Sequence, residues 1–193
     1  MKTFSKESCR IPEPPLAKLL FADIRLAWLW LPLRLYLGYM WLGAGVHKVA
    51  DPKWIDGGAA LMNYWQRAIQ LQPKPVAAYD WYRAFLQFLL DTEAYTWFSK
   101  LVVAGELFVG IALILGAFTG IVAFMGGFMN WNFIMAGSAS TNGMLFAIAT
   151  WLVLAWRTSG YIGVDRWLLP FLGASWAPGR LFDATSEIEP KKT

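Results

Sequence analysis

Long apolar stretches alternate along the chain with short clusters of glycine, proline and polar residues. The clearest apolar stretch runs from 107 to 156 without one Asp, Glu, Lys, Arg or His. It is too long for a single membrane-spanning helix of about 20 residues. Turn residues divide it at 116–120 and again at 137–143 (GSASTNG). The pattern therefore predicts three helices, near 99–118, 121–136 and 142–158.

A further apolar run at 26–46, interrupted only by Arg34, predicts one more span. The expected fold is therefore an all-α integral membrane protein, a four-transmembrane-helix bundle. Pro32 allows an alternative start, because proline favours the first turn of a helix. The first span would then begin near 31, and 16–30 would form an amphipathic helix on the membrane surface.

The loop between the first two spans, 49–96, is unusually long for a compact protein. It is rich in aromatic residues and predicts two amphipathic helices, 57–71 and 81–91, separated by prolines. Two interpretations stay open: anchoring at the membrane interface, or a lid over the ends of the spans. After the last span, GVDRWLLPFLG (163–173) predicts a short surface helix with Asp165 at a solvated start.

Composition supports a membrane protein and excludes several kinds of redox centre. The 193 residues are 57% hydrophobic and 16% charged, with a mean hydropathy of +0.41. One His and one Cys exclude a CxxC pair, haem attachment through cysteines and an iron–sulfur cluster within the chain. We therefore expect no metal site and no covalently bound cofactor. A net charge of +4, dispersed along the chain, argues against nucleic acid.

Basic residues favour the side of the membrane on which the chain ends. Ten Lys and Arg lie before or after the spans, against six in or next to the long loop. This predicts cytoplasmic termini in a multi-pass protein of the cytoplasmic membrane. The N-terminus lacks the layout of a signal peptide. The expected parts are a tail or surface helix at 1–25, a membrane domain at 26–170 with an extracytoplasmic loop, and a polar tail at 171–193.

Ionisable residues within spans are candidates for function, because each costs at least about 2.5–3.5 kcal/mol at mid-depth. With a helical rise of about 1.5 Å per residue, Glu106 lies about 10 Å from the outer boundary and Arg34 about 20 Å. Several polar residues are expected to gather near Glu106. The candidate catalytic residues are Glu106 and His47, and the candidate substrate- and quinone-binding residues are Arg34, Lys48, Asn130, Asn132 and Asn142.

Each candidate also has a purely structural interpretation. Glu106 would pair with Lys48, His47 or an asparagine between helices, and Arg34 would extend its side chain to the headgroups. Asn142 would cap a helix, or the 137–143 turn before it would hold an anion. On the first span, Arg34, Gly38, Trp41, Gly45 and Lys48 form one stripe, whose glycines permit close helix packing.

Four motifs together resemble the DoxX/DoxD family of small four-helix membrane proteins. They are RLYLGYMWLGAGVHK (34–48), GELFVGIALILGAFTG (105–120), FMNWNFIMAGSASTNG (128–143) and GYIGVDRWL (160–168). The resemblance covers roughly 30–170 and implies the four-helix fold. Its DoxD branch implies the large subunit of a thiosulfate:quinone oxidoreductase, with a DoxA-like partner subunit. Arg34, Lys48, Glu106, Asn130 and Asn142 would then correspond to recurring polar positions of the family.

The resemblance leads to a quinone-linked oxidoreductase subunit as the first hypothesis, with quinone as a diffusible co-substrate. The partners would be the lipid bilayer, quinone and a second protein subunit. The alternative is a non-catalytic accessory or assembly subunit of a larger respiratory or photosynthetic complex, which the aromatic loop favours. A transporter is the third possibility, although four spans are few for a monomeric pathway.

Overall fold

The computed structural model describes residues 14–173, and this part of the chain is helical without any β-strand. A 3-10 turn at Ile24–Leu26 joins the first two α-helices. The helices are α1 (Pro15–Ala22), α2 (Ala27–Val49), α3 (Pro52–Ile55), α4 (Ala59–Ala68), α5 (Asp80–Asp91), α6 (Tyr95–Leu115), α7 (Thr119–Met135), α8 (Asn142–Leu154), α9 (Trp156–Ser159) and α10 (Asp165–Phe171).

The four longest helices, α2, α6, α7 and α8, pack around one hydrophobic core. Its fully buried side chains include Leu37, Val109, Leu113, Val122 and Leu152. Helices α2 and α6 run antiparallel and share the most extensive contact. Gly110 permits this approach, since a Cβ there would lie 2.5 Å from the backbone nitrogen of Leu42. The prediction of close packing at the glycines is therefore confirmed.

A second hydrophobic cluster lies where the long loop folds back onto α6 and α7. Leu61 and Trp65 of α4 and Tyr82 and Leu86 of α5 are buried there. Trp65 also makes an edge-to-face contact with Phe98 of α6, at 5.5 Å between ring centroids. The two predicted loop helices are confirmed, each with slightly different bounds. They pack against α6 and α7 at one end of the long helices, and we call them the lid.

Among residues 14–173, one helix, α6, is long and apolar enough to cross a membrane, and α8 is a shorter apolar helix. Helix α2 is longer, but Arg34 and its Trp and Tyr side chains lower its mean hydropathy. Large apolar side chains cover the outer faces of the bundle, among them Trp97, Leu101 and Phe108 of α6 at 52–57% exposure. A soluble protein rarely exposes so much contiguous apolar surface.

Some predicted bounds are wrong. Helix α2 begins at Ala27, so the alternative start near 31 fails and Pro32 lies inside the helix. The proposed surface helix at 16–30 is instead the shorter α1, which ends before Asp23. Helix α8 ends at Leu154, four residues early, and α9 follows separately. The predicted tails at 1–13 and beyond 173 lie outside the described residues.

Candidate functional site

An ion pair joins α2 to α6 near the lid. The Lys48 Nζ donates to both carboxylate oxygens of Glu106, at 2.7 and 2.8 Å. The Glu106 side chain is 1% exposed and that of Lys48 18%, so the pair is nearly removed from solvent. Trp54 of α3 lies over the ammonium, with the ring centroid 5.0 Å from Nζ. The predicted pairing of Glu106 with Lys48 is thus confirmed.

The pair lies in the wall of a cavity of about 280 Å³, here called the Lys48–Glu106 cavity. Six helices, α2, α3, α4, α6, α7 and α8, and the 137–143 turn contribute to its lining. Besides the ion pair, its polar lining residues are Asn130, Ser138, Thr141 and Asn142. The aromatic rings of Trp41, Trp54, Tyr64 and Phe133 line much of the rest. The cavity is therefore largely apolar, with a few convergent polar groups, as is typical of small-molecule sites.

Two polar groups in this wall are buried without any hydrogen-bond partner. Asn130 of α7 is fully buried, and neither its amide nitrogen nor its oxygen is bonded. The indole nitrogen of Trp41 is in the same condition. Leaving a buried polar group unsatisfied costs about 1–3 kcal/mol, so native proteins seldom do so without a reason. Asn130 therefore keeps an unused donor and an unused acceptor beside the cavity, whereas the Trp41 indole nitrogen faces α7 at Gly126.

The turn before α8 closes the cavity on one side. Gly137 there has φ 86°, and a Cβ would lie 2.5 Å from a side-chain carbon of Val76 in the long loop. The amide of Asn142 donates to the Ser138 carbonyl oxygen at 2.8 Å, which fixes the turn. The predicted capping role of Asn142 is wrong, because Thr141 precedes the helix and Asn142 is its first residue.

Three predicted site residues lie outside the cavity: His47, Asn132 and Arg34. His47 is exposed near the end of α2 and is not part of the cavity lining. Asn132 lies two positions after Asn130 and therefore on a different face of α7. Its side-chain amide donates to the Phe128 carbonyl oxygen at 2.8 Å, and its backbone carbonyl oxygen accepts from the Tyr82 hydroxyl at 3.1 Å. The sequence predicts that one of the two asparagines joins the cluster around Glu106, and in the structure that residue is Asn130.

Arg34 lies towards the other end of α2, in what we call the Arg34–Asp165 cluster. Its side chain is 1% exposed and donates to the Ile162 carbonyl oxygen at 2.7 Å. The Asp165 carboxylate is fully buried and accepts from the backbone nitrogens of Phe118 and Thr119, at 2.6 and 2.8 Å. A carboxylate is favourable here because it faces the N-terminus of α7.

Two sequence interpretations of this cluster are wrong. Arg34 does not extend to the headgroups, because its guanidinium is enclosed by the glycine turns at Gly116 and Gly163, where a Cβ would clash with it. Asp165 begins α10 but is buried rather than solvated, because its carboxylate bonds to the backbone of the turn before α7. Nothing brings Arg34 into the Lys48–Glu106 cavity, whose lining does not include it.

Sequence reasoning also missed an apolar groove under the lid, which we call the aromatic groove. It has a volume of about 210 Å³ and lies between α4 and α5 on one side and α6 and α7 on the other. Tyr64 and Phe133 line both the groove and the Lys48–Glu106 cavity. Burial raises the pKa of the Tyr64 hydroxyl, although its hydrogen bond with Ser138 and the charge of Arg67 oppose the rise.

With this geometry in place, comparison with known families gives one match. The model of the DoxX family matches residues 29–138, more than half of the chain. The chain belongs to the DoxX family. No curated protein and no solved structure shows significant similarity to it.

The DoxX match includes most of the cavity wall. Lys48, Glu106 and Asn130 lie within it, and so do Arg34 and the first two residues of the 137–143 turn. Asn142 and Asp165 lie beyond its end. The family resemblance predicted from the motifs is confirmed at this level, and with it the assignment to a membrane family.

Proposed function

We propose that this DoxX protein is the membrane subunit of a quinone-linked oxidoreductase and that the Lys48–Glu106 cavity binds the quinone head group. The observation that carries the proposal is the fully buried, unpartnered amide of Asn130 beside the buried ion pair. An amide N–H can donate to a quinone carbonyl oxygen, and its carbonyl oxygen can accept from a quinol hydroxyl. One side chain would thereby serve both redox states.

Lys48 and Glu106 would relay the protons that quinone reduction requires: the Lys48 ammonium would donate to the quinone oxygen, and the Glu106 carboxylate would accept each replacement proton. The two groups lie within hydrogen-bond distance of each other, so a proton can pass between them, and both line the cavity. His47, exposed at the adjacent end of α2, would exchange protons with the surrounding solution. Asn132 lies in the aromatic groove, so its role would be indirect, and Arg34 would hold the opposite end of the bundle.

The proposed topology is a four-span bundle with both termini in the cytoplasm. Helices α2 and α6, of 23 and 21 residues, are about 35 and 32 Å long at a rise of 1.5 Å per residue. Each matches a hydrocarbon core of about 30 Å. Helix α7 is shorter, at 17 residues, and α8 would cross together with α9.

The resemblance to the DoxD branch points to thiosulfate as the electron donor and to a DoxA-like second subunit. The overall reaction joins two thiosulfate ions through a new S–S bond, and the two electrons, with two protons, convert quinone to quinol. Lys48 and the backbone N–H groups of the 137–143 turn would attract the anion. Because the described residues offer no cluster of metal ligands, the second subunit is the proposed source of any electron relay.

The decisive variant is Glu106→Gln in the protein purified with its native partners. General acid–base catalysis contributes roughly 10²–10⁴-fold, so quinone reduction should fall at least about 100-fold while the protein still inserts. Glu93→Gln, in the exposed loop before α6, is the matched control and should leave the rate unchanged. Full activity of the Glu106→Gln protein would contradict the proton-handling role.

A second candidate function is a non-catalytic assembly subunit of a larger respiratory or photosynthetic complex. It is favoured by Trp81 and Phe88 of α5, which are 57% and 61% exposed on the outer side of the lid. A partner subunit would cover these rings in place of the bilayer. Replacing both with glutamine should then release the partner subunits, whereas partners retained by the double variant would count against assembly through the lid.

A further inference from the structure

The aromatic groove and the Lys48–Glu106 cavity adjoin each other but differ in chemistry. Among the groove's lining residues, Asn132 and the Tyr64 and Tyr82 hydroxyls are polar, and the rest are hydrocarbon or aromatic side chains. The cavity holds an ion pair, a buried amide and the polar turn. A molecule that filled both would therefore need a polar head and a hydrocarbon tail.

Tyr64 and Phe133 form the partition between the two spaces. Their rings meet edge to face, with centroids 6.2 Å apart. The Tyr64 hydroxyl donates to the Phe133 carbonyl oxygen at 3.2 Å, which ties the lid helix α4 to α7.

The groove also reaches the outer surface of the bundle. Phe85 of α5 and Phe128 of α7 line it, and they are 45% and 55% exposed. On α7, Phe128 continues the exposed apolar face formed by Ile121 and Phe124, each 63% exposed. A face of this kind is suited to lipid. A hydrocarbon chain leaving the bilayer would therefore meet the groove at the edge of the lid.

We propose that the aromatic groove binds the hydrocarbon tail of a lipid-soluble carbonyl substrate whose head occupies the Lys48–Glu106 cavity, with Tyr64 as the gate between them. This inference rests on the proposed function and names the route by which the substrate enters: from the side, through the lipid-facing groove. Because Tyr64 and Phe133 line both spaces, a tail in the groove would lead directly to a polar head in the cavity, and this adjacency identifies the occupant.

The test uses the full chain in lipid nanodiscs and two probes, a benzoquinone with two isoprene units and the same ring without a tail. Val102→Phe adds a ring to the groove wall on α6. Leu101→Phe, one residue earlier, faces outwards at 54% exposure and is the matched control. Val102→Phe should weaken binding of the tailed quinone about tenfold, the effect of roughly two fewer buried methylene groups. It should leave the tailless quinone unaffected, and Leu101→Phe should change neither.

The possible failures can be told apart. If the wild type binds neither quinone, the proposed function fails, and the groove assignment fails with it. If the wild type binds both but Val102→Phe has no effect, or weakens both equally, only the groove assignment is overturned.

A labelling experiment decides the matter even if the variant does not fold. A benzoquinone with a photoreactive diazirine at the end of its tail should label the wild-type groove at Phe85, Leu86, Leu89, Phe128 or Met129. Labelling confined to the outward-facing positions Leu101 and Phe108 of α6 would overturn the proposal.

Discussion

Two pairs of buried charges occupy opposite ends of the same helix pair, and their surroundings differ. Lys48 and Glu106 bond directly to each other and line a cavity. Arg34 and Asp165 do not form a direct salt bridge, although the charge of Asp165 acts on Arg34. Each instead bonds to backbone atoms: Arg34 to a carbonyl oxygen, and Asp165 to two N–H groups.

The difference indicates different roles for residues that look alike in the sequence. Glycine turns enclose the Arg34 guanidinium so closely that any side chain at Gly116 would clash with it. The Arg34–Asp165 cluster therefore has a structural role, because its charged side chains link α2, the α6–α7 turn and α10. Unpartnered buried polar atoms occur at both ends: Nε and Nη1 of Arg34 at one, and both side-chain amide atoms of Asn130 at the other. The cavity beside Asp165, however, is otherwise lined mostly by apolar side chains, whereas at the Lys48 end the charged pair lines a cavity together with four further polar residues. Such an arrangement contributes little to packing and suits a ligand.

The largest expected effect is a loss of stability when the Arg34–Asp165 cluster is disrupted. Asp165→Ala would leave the backbone N–H groups of Phe118 and Thr119 unpaired and Arg34 without its counter-charge. Removal of one partner from a buried charge pair costs about 3–5 kcal/mol. We expect the free energy of unfolding in detergent to fall by that amount. Asp56→Ala, at an exposed loop position, should have almost no effect.

The same variant sharpens the comparison through its effect on binding. The remaining folded Asp165→Ala protein should bind quinone with unchanged affinity, because its cluster does not share lining residues with the cavity near Glu106. A selective loss of quinone affinity, with unfolding unaffected, would show that the Arg34 end belongs to the site.

At the Lys48 end, we expect a smaller change in stability and a loss of quinone affinity. Asn130→Leu removes an amide that has no partner, so the free energy of unfolding should stay level or rise by up to about 1 kcal/mol. Quinone affinity should fall about tenfold, the loss of one good hydrogen bond. Asn63→Leu is the control, because Asn63 of α4 is exposed and lines neither the cavity nor the aromatic groove, and we expect it to leave quinone affinity unchanged.

This pair of variants also tests the structural interpretation of the polar residues. If Asn130 served only to join helices, Asn130→Leu would lower stability by about 1 kcal/mol or more and leave quinone binding as it was. Such a result would remove the main support for a ligand in the cavity, while the ion pair of Lys48 with Glu106 would stand.

Much of the helical layout was predictable, because it depends on local signals. Apolar length, breaker residues and the periodicity of the loop segments predicted the helices from α4 to α8 to within a few residues. The contact of Lys48 with Glu106 was among the three pairings predicted for Glu106, since helix rise places both residues in the outer half of the bundle. The DoxX motifs added the family.

The remaining features depend on side-chain direction and on distant contacts. Asn130 and Asn132 are two residues apart, and only the packing of α7 decides which of them faces the cavity. The burial of Asp165 could not be predicted, because its partners, Phe118 and Thr119, are more than 40 residues away in the chain. The aromatic groove needs the lid docked on α6 and α7, a tertiary arrangement without a sequence signature.

The smallest expected effect is on the pH dependence of stability, and it arises in the lid, which packs at the Lys48 end of the bundle. Burial raises the pKa of Tyr82 from 10.0 to about 12, with a further contribution from Tyr64. The folded protein therefore favours the neutral phenol, and the unfolded chain loses its proton first. This part of the stability is fully present below about pH 10 and is lost as the pH rises from about 10 towards 12.

Tyr82→Phe should separate that titration from the loss of a hydrogen bond. At about pH 8, the variant loses the bond to the Asn132 carbonyl oxygen, worth about 1 kcal/mol. Between about pH 10 and 12, its stability should decline less than that of the wild type, because a phenylalanine ring has no proton to lose. Denaturant unfolding at both pH values, with exposed Tyr79→Phe as the control, measures the difference. Parallel declines for the wild type and the Tyr82→Phe variant would mean that the lid is not packed against α7 as described, and the enclosure that distinguishes the Lys48–Glu106 cavity from the Arg34–Asp165 cluster would lose its basis.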